Sequence, residues 1–255
     1  MQISFFEEFP NQNNLTKLKL ISFQTKLYLA AKSVKEFQIL KSQIKNKRVK
    51  EVIYWPILEN KEGYWISPWS KRKALKRIFA ELQEPKNQNL PVMLDLELPF
   101  RRNPWLFITQ KANFFSNKKL IRDFINNHSG EVYLAEYYPE GKFKGGMMKF
   151  FGLHYTSKKN HKVKVIKMLY HSLHPFKKEF LTKELQRGKQ EFGNNYLLAF
   201  GTIAKGINGN EPLLRPEQLQ QDLQLAKEIG IKEVIIFRLG GMDKEYLKII
   251  KALIR

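Results

Sequence analysis

Eight short apolar segments recur along the chain, and each is followed by a stretch that can form a helix or a loop. The segments are Ile3–Pro10, Thr25–Ala31, Glu51–Leu58, Val92–Pro99, Glu131–Tyr138, Val165–Leu173, Leu197–Ala204 and Glu233–Gly241. Strands that are apolar throughout are typical of a parallel sheet buried on both faces. Eight strand–helix units within 255 residues fit the size of a (β/α)8 TIM barrel. No long polar linker interrupts them, so the sequence predicts an α/β fold, a single-domain TIM barrel over residues 1–255.

The composition narrows the cellular setting. The chain contains no cysteine, which excludes disulfide bonds, thiolate metal ligands and a cysteine nucleophile. Residues 1–8 lack the basic and apolar regions of a signal peptide. No segment approaches the roughly 20 apolar residues that span a bilayer. We therefore expect a cytoplasmic protein with no membrane span.

The formal net charge of +21 at pH 7 has two interpretations. Lysine and arginine concentrate in three clusters, at residues 41–50, 71–77 and 158–164, all in predicted helices or loops. The excess favours a polyanionic partner that binds this basic surface, such as nucleic acid, an anionic lipid surface or an acidic glycan. A lysine-rich composition spread over outer helices produces the same charge, so both interpretations stay open.

The fourth apolar segment ends in two carboxylates. Side chains alternate along a strand, so Met93, Asp95 and Glu97 share one face and the intervening leucines share the other. We expect the leucines to contact helices and the carboxylates to enter the barrel mouth, where TIM-barrel enzymes have their active sites. Two stacked carboxylates repel each other, which lets one keep a proton near neutral pH and act as a general acid. The alternative is that Asp95 pairs with Arg238 and that Glu97 is only exposed.

Two other strand ends supply carboxylates. Glu136, near the end of the fifth segment, is a third candidate catalytic residue beside Asp95 and Glu97. In the first segment only one of Glu7 and Glu8 can face the barrel, because side chains alternate. We favour Glu7, which shares its face with three apolar residues.

Aromatic rings near the same strand ends can stack on the faces of sugars. Tyr170 and His171 point to opposite faces of the sixth segment, so only one of them can line the site, and the tyrosine can hydrogen-bond a substrate. The residues expected to bind a substrate are Glu7, Trp55, Trp65, Tyr138, Tyr170 and Arg238. The spacing of His171 and His174 does not indicate a metal site, and we expect neither a metal nor another cofactor.

Arg238 stands in an apolar context in the eighth segment, where an arginine needs an anionic partner. Asp95, Glu7 or an anionic group of the ligand can serve. The following Gly240 and Gly241 either leave backbone amides free for a phosphate or form a tight turn.

The stretch 90–97, with the sequence Leu-Pro-Val-Met-Leu-Asp-Leu-Glu, resembles the fourth strand of two groups of glycoside-hydrolase barrels. One group is the Chalaropsis-type lysozymes, whose strand ends in Asp-x-Glu. The other is the chitinase-like barrels, whose longer acidic motif also ends in Asp-x-Glu. The resemblance implies that Glu97 is the proton donor and that Asp95 orients or stabilises the reacting group.

These observations favour a glycoside hydrolase that acts on a carbohydrate, with Glu97 as the general acid and Asp95 or Glu136 as electrostatic stabiliser or nucleophile. A second hypothesis is a barrel lyase, isomerase or aldolase, whose Lys205, Arg238 and paired glycines bind a phosphorylated or carboxylated small molecule. A third is a non-catalytic barrel that binds nucleic acid or another polyanion, with an affinity that falls steeply as salt rises.

Overall fold

Eight parallel strands form a closed barrel in chain order, from β1 to β8, in a computed structural model that describes residues 1–99, 103–137, 141–155 and 162–254. The strands are β1 (Gln2–Glu7), β2 (Thr25–Ala31), β3 (Val49–Pro56), β4 (Val92–Asp95), β5 (Val132–Tyr137), β6 (Val163–Met168), β7 (Tyr196–Gly201) and β8 (Glu233–Phe237). The barrel closes because β1 pairs with both β2 and β8. The predicted fold class, an α/β TIM barrel, is confirmed.

Helices follow the strands in the described parts of the chain. The α-helices are α1 (Gln12–Thr16), α2 (Val34–Ser42), α3 (Arg72–Gln83), α4 (Leu106–Thr109), α5 (Phe114–Asn127), α6 (Gly141–Phe150), α7 (Lys178–Phe192), α8 (Pro216–Ile229) and α9 (Lys244–Ile254). Of the short 3-10 helices, the one at Leu239–Gly241, directly after β8, bears on the site. None of the helices in the described residues is long and apolar enough to cross a membrane.

Local sequence signals set several helix ends and faces. Helix α8 begins at Pro216, whose fixed backbone angle suits the first helical position, and it ends at Gly230, which adopts a φ of 77°. Helix α3 buries an apolar face, from which Phe79 stacks on Phe124 of α5 with ring centroids 4.4 Å apart. These contacts follow from apolar residues spaced at three and four positions along each helix.

Several strands end before the predicted apolar segments do. Strand β4 ends at Asp95, where its register with β5 stops, and β8 ends at Phe237. Glu97, Tyr170 and Arg238 therefore lie in loops beyond the C-terminal ends of their strands. In a TIM barrel these loops build the active-site face, so the candidate residues keep their expected end of the barrel.

The chain divides into two compact units. The first comprises Met1–Ala30, Leu40–Val52 and Ile166–Arg255, and the second comprises Ala31–Ile39 and Ile53–Val165. In the core of the first unit, the Phe6 ring lies 5.3 Å from that of Tyr28 and 6.3 Å from that of Phe237. The single domain over residues 1–255 stays a prediction.

Candidate active site

Asp95 is the last residue of β4 and lies on the interior face of the barrel. Tyr54 of β3 packs against Phe37 of α2, with ring centroids 5.1 Å apart, so Tyr54 faces the helices. Val92 is the register partner of Tyr54 and faces the same way, and Asp95, three residues later, faces the opposite way. Asp95 is 5% exposed. The geometry agrees with the inward face predicted for this carboxylate.

Glu97 follows two residues beyond β4 and is half-buried. Its Oε2 accepts a hydrogen bond of 2.8 Å from the hydroxyl of Tyr137, the last residue of β5. Tyr137 shares a face of β5 with Ala135, which is the register partner of Asp95. Asp95, Glu97 and Tyr137 therefore stand on one side of the β4–β5 pair. Tyr137 is exposed, so a ligand from solvent can reach this side of the β4–β5 pair.

Glu136 lies on the opposite face of β5, which corrects the expectation that it joins the carboxylates of β4. Because Ala135 is the residue that pairs with Asp95, the side chain of Glu136 points to the helix side. Its carboxylate is fully buried and accepts hydrogen bonds from His154 Nδ1 at 2.6 Å and from the backbone N–H of Tyr155 at 3.0 Å. Glu136 therefore holds the segment after α6 in place.

Glu7 and Arg238 form a buried ion pair within the first unit. Arg238 Nη1 lies 3.0 Å from Glu7 Oε1, and the two side chains are 12% and 0% exposed. Among the anionic partners that the sequence allowed for Arg238, the structure shows Glu7. The guanidinium also donates to the carbonyl of Lys205 at 2.9 Å and lies 4.8 Å from the centroid of the Phe9 ring.

Glu7 faces the helices, which corrects the prediction that it enters the barrel mouth, while its binding to a substrate stays a prediction. Its carboxylate accepts further hydrogen bonds from the backbone N–H groups of Phe9 at 2.8 Å and Gly240 at 2.7 Å, and from the amide of Asn14 in α1 at 3.1 Å. Burial raises the pKa of Glu7, and the Arg238 guanidinium and the two N–H groups partly oppose that rise. A fully buried carboxylate with this many donors is a structural group.

The paired glycines after β8 form a tight turn, the second of the two alternatives. The N–H of Gly240 donates to Glu7, and the N–H of Gly241 donates to the carbonyl of Arg238 at 3.0 Å. A Cβ at Gly241 would collide with the carbonyl oxygen of Ile203, so the turn requires glycine there. The anion held by the Gly240 amide is the protein's own carboxylate, and the Gly241 amide is taken by a carbonyl, so a phosphate site at this turn is not supported.

Tyr170 and His171 contact different parts of the first unit. The Tyr170 ring packs 5.7 Å from that of Phe237 at the end of β8. His171 instead reaches α8, where its Nδ1 lies 2.8 Å from Asp222 Oδ1, and its Nε2 lies 3.0 Å from the carbonyl of Phe176. A carboxylate and a carbonyl accept hydrogen bonds, so both contacts are satisfied when both ring nitrogens of His171 carry a proton, which is the cationic form.

His171 makes the stability of the protein depend on pH. Burial lowers its pKa, but the hydrogen bonds and charge of Asp222 and the Phe176 carbonyl outweigh burial and raise it. The stabilisation is therefore fully present below the unfolded value, about 6.5, and is lost as pH rises through the folded value. We expect His171→Gln to lower the free energy of unfolding by about 1.5–3 kcal/mol near pH 6, and by less at alkaline pH, in urea titrations.

The exposed His174 provides the matched control for this measurement. His174→Gln should change stability little at either pH. A loss in His171→Gln that stays constant across the pH range would contradict the charged contact with Asp222.

The predicted aromatic binding residues are less accessible than expected. Trp55 is 2% exposed and Trp65 is 7% exposed, and the Trp65 ring packs edge-on against Tyr64 at 5.2 Å. Little of either indole is open to a sugar face, and their role in binding stays a prediction. Tyr138 lies outside the described residues.

Glu8 and Glu211 form an acidic pair that the sequence analysis did not identify. A Cβ at Gly206, in the loop after β7, would lie 3.1 Å from a carboxylate oxygen of each. Alternation along β1 indicates that Glu8 faces away from Glu7, but Glu211 lies in a loop whose course alternation does not predict.

Among the described residues no group of three or more His, Asp or Glu side chains is placed to hold a metal ion.

Several solved structures are similar to this chain over nearly its whole length. The E. coli 3-keto-D-glucoside 4-epimerase YcjR matches with a TM-score of 0.54 and 14% identity, over 99% of this chain and 98% of that one. The PgaB (BpsB) glycoside hydrolase domain from Bordetella bronchiseptica matches with a TM-score of 0.53 and 9% identity, over 99% and 96%. The Bacillus megaterium spore cortex-lytic enzyme SleL matches with a TM-score of 0.52 and 11% identity, over 98% and 73%.

These likenesses show the fold alone, a barrel of the type that both glycoside hydrolases and sugar epimerases use. No protein-family model and no curated protein matches the chain.

Proposed function

We propose that the protein is a glycoside hydrolase in which Glu97 protonates the leaving oxygen of a glycosidic bond. The observation that carries the proposal is the shared face of Asp95 and Glu97 at the C-terminal end of β4, the end at which TIM-barrel enzymes act. The resemblance of this strand to Asp-x-Glu glycosidase barrels assigns the acid to the same residue. Glu136 lies on the helix side of β5, so the proposal does not use it.

The two carboxylates have environments that suit different roles. Glu97 is half-buried and is oriented by the Tyr137 hydroxyl, so its proton can reach a ligand. It transfers that proton to the glycosidic oxygen while the bond from this oxygen to the anomeric carbon breaks. Asp95 is buried and supplies negative charge beside the oxocarbenium-like carbon, either as an electrostatic stabiliser or as a nucleophile. Water completes hydrolysis, and its proton restores the acid.

A carbohydrate substrate is consistent with the names of the similar barrels, which include a glycoside hydrolase domain and a glucoside epimerase. The second hypothesis, a lyase, isomerase or aldolase, needs Arg238 and the paired glycines to bind the anionic group of a substrate. The Gly240 N–H and the Arg238 guanidinium instead bind the carboxylate of Glu7, which does not favour this hypothesis. A polyanionic partner for the basic surface and a cytoplasmic location stay predictions.

The test is the release of aglycone from a panel of aryl glycosides that differ in sugar and in anomeric configuration. We expect turnover of at least one substrate above the uncatalysed rate. A parallel incubation with free ketoses, analysed for new epimers, separates a hydrolase from an epimerase. Epimer formation without aglycone release would show an epimerase and contradict the proposal. An absence of turnover across the whole panel would contradict it as well.

A further inference from the structure

A pocket lies away from the carboxylates of β4, between α5, α6 and the residues that follow α6. It has a volume of about 500 Å³, and Lys118, Arg122, Lys149 and His154 contribute to its lining. Small-molecule sites are typically about 300–1,000 Å³. The pocket is therefore large enough for a small ligand.

The charge of this pocket is uniformly basic in the described residues. Lys118 and Arg122 lie one turn apart on α5, and Lys149 lies in the last turn of α6. No acidic side chain is among the described residues that line it. Burial lowers the pKa of Lys118, and the neighbouring positive charge of Arg122 lowers it further. Like charges held this close are unfavourable until an anion binds between them.

Lys118 and Arg122 differ in how their charged groups are held. The ammonium of Lys118 donates to the carbonyls of Lys149 and Phe150, both at 2.8 Å, which fixes it against the end of α6. Arg122 is exposed, and its guanidinium makes no hydrogen bond or ion pair with any part of the chain that the structure describes. A guanidinium presents several N–H donors in a plane, which suits the oxygens of a phosphate.

Glu136 holds two of the residues that line the pocket, His154 and Tyr155, in place. Its buried carboxylate holds the ring of His154 at 2.6 Å and the backbone N–H of Tyr155 at 3.0 Å. Phe150, which is 55% exposed, adds an apolar surface, and the Lys118 ammonium lies 5.7 Å from the centroid of its ring. A small ligand with one anionic group and an apolar part would contact both surfaces.

We propose that this pocket binds a tetrahedral dianion, such as the phosphate group of a small molecule, with Arg122 and Lys149 as the residues that contact the anion. The site lies on the helix side of β5, whereas Asp95 lies on the interior face of β4. The proposal therefore does not depend on the proposed glycosidase activity.

The test is calorimetric titration of the full chain with inorganic phosphate, with sulfate and with acetate. Ionic strength is kept constant because screening alone changes the binding of any anion to a basic protein. We expect saturable binding of phosphate and sulfate, and none of acetate. Arg122→Gln should weaken phosphate binding about tenfold or more, the factor expected for one charge-assisted hydrogen bond. Lys149→Gln should weaken it as well.

Arg215→Gln is the matched control, because Arg215 is an exposed arginine in the first unit. It should leave phosphate affinity unchanged. Melting curves complete the experiment: phosphate should raise the melting temperature of the parent protein and of the control, and at the same concentration it should raise that of Arg122→Gln by less. An absence of saturable phosphate binding, or equal losses in Arg122→Gln and Arg215→Gln, would overturn the proposal.

Discussion

Replacing Glu97 with glutamine is expected to lower the rate on glycosides with poor leaving groups by about 10²–10⁴-fold, the usual contribution of general acid–base assistance. Glutamine keeps the size of the side chain and an oxygen that can accept from Tyr137, but its amide has no acidic proton to transfer to the leaving group. Activated aryl glycosides need little protonation, so their rates should fall much less. The measurement is kcat/KM for a series of aglycones of increasing pKa.

Two comparisons distinguish loss of the acid from loss of the fold. Glu84→Gln removes an exposed carboxylate at the end of α3 and should change neither rate nor stability. The melting temperature of Glu97→Gln should stay close to that of the parent, because Glu97 is only half-buried. Equal rate losses for good and poor leaving groups would remove Glu97 as the acid.

Arg238→Met is expected to destabilise the protein by about 3–5 kcal/mol, the typical cost of leaving one member of a buried ion pair without its partner. The methionine keeps much of the packing over Phe9 but leaves the fully buried Glu7 without its cation. Urea unfolding measures the change. Arg48→Met, which replaces an exposed arginine, should have little effect.

The destabilisation of Arg238→Met should depend on pH in a defined direction. Burial already raises the pKa of Glu7, and removal of Arg238 takes away the charge that opposes this rise. A carboxyl with a raised folded pKa favours the folded state at low pH and loses that contribution as pH rises through the folded value. The difference in the free energy of unfolding between the parent and Arg238→Met should therefore become smaller as pH falls from about 7.5 to about 5. A deficit that grows on acidification would show that Glu7 is not the group left unpaired.

The fold class could be predicted from the sequence because the signals for it are local. The apolar segment Thr25–Ala31 has the same bounds in the structure as in the prediction. Helix α8 has signals that are equally local, an apolar period of three to four residues that Gly230 ends. Eight such units at regular spacing leave few architectures other than the barrel.

The faces of the strand residues were harder to predict. In a barrel covered by helices both faces of a strand are apolar, so alternation separates Glu7 from Glu8 without showing which of them is inside. The same ambiguity placed Glu136 beside Asp95. The register of β5 with β4 resolves it, because Asp95 pairs with Ala135 and Glu136 then faces the helices.

The barrel, the end of it at which Asp95 and Glu97 lie, and the need of Arg238 for an anion can be predicted from the amino-acid sequence, because each depends on residues close together along the chain. The folded chain was needed to show that Glu7, 231 positions away, is that anion. It was also needed to show that Arg122 and Lys149, from different helices, line one basic pocket. Contacts of this kind depend on register and helix packing, which are set by the whole barrel and leave no periodic pattern in the sequence.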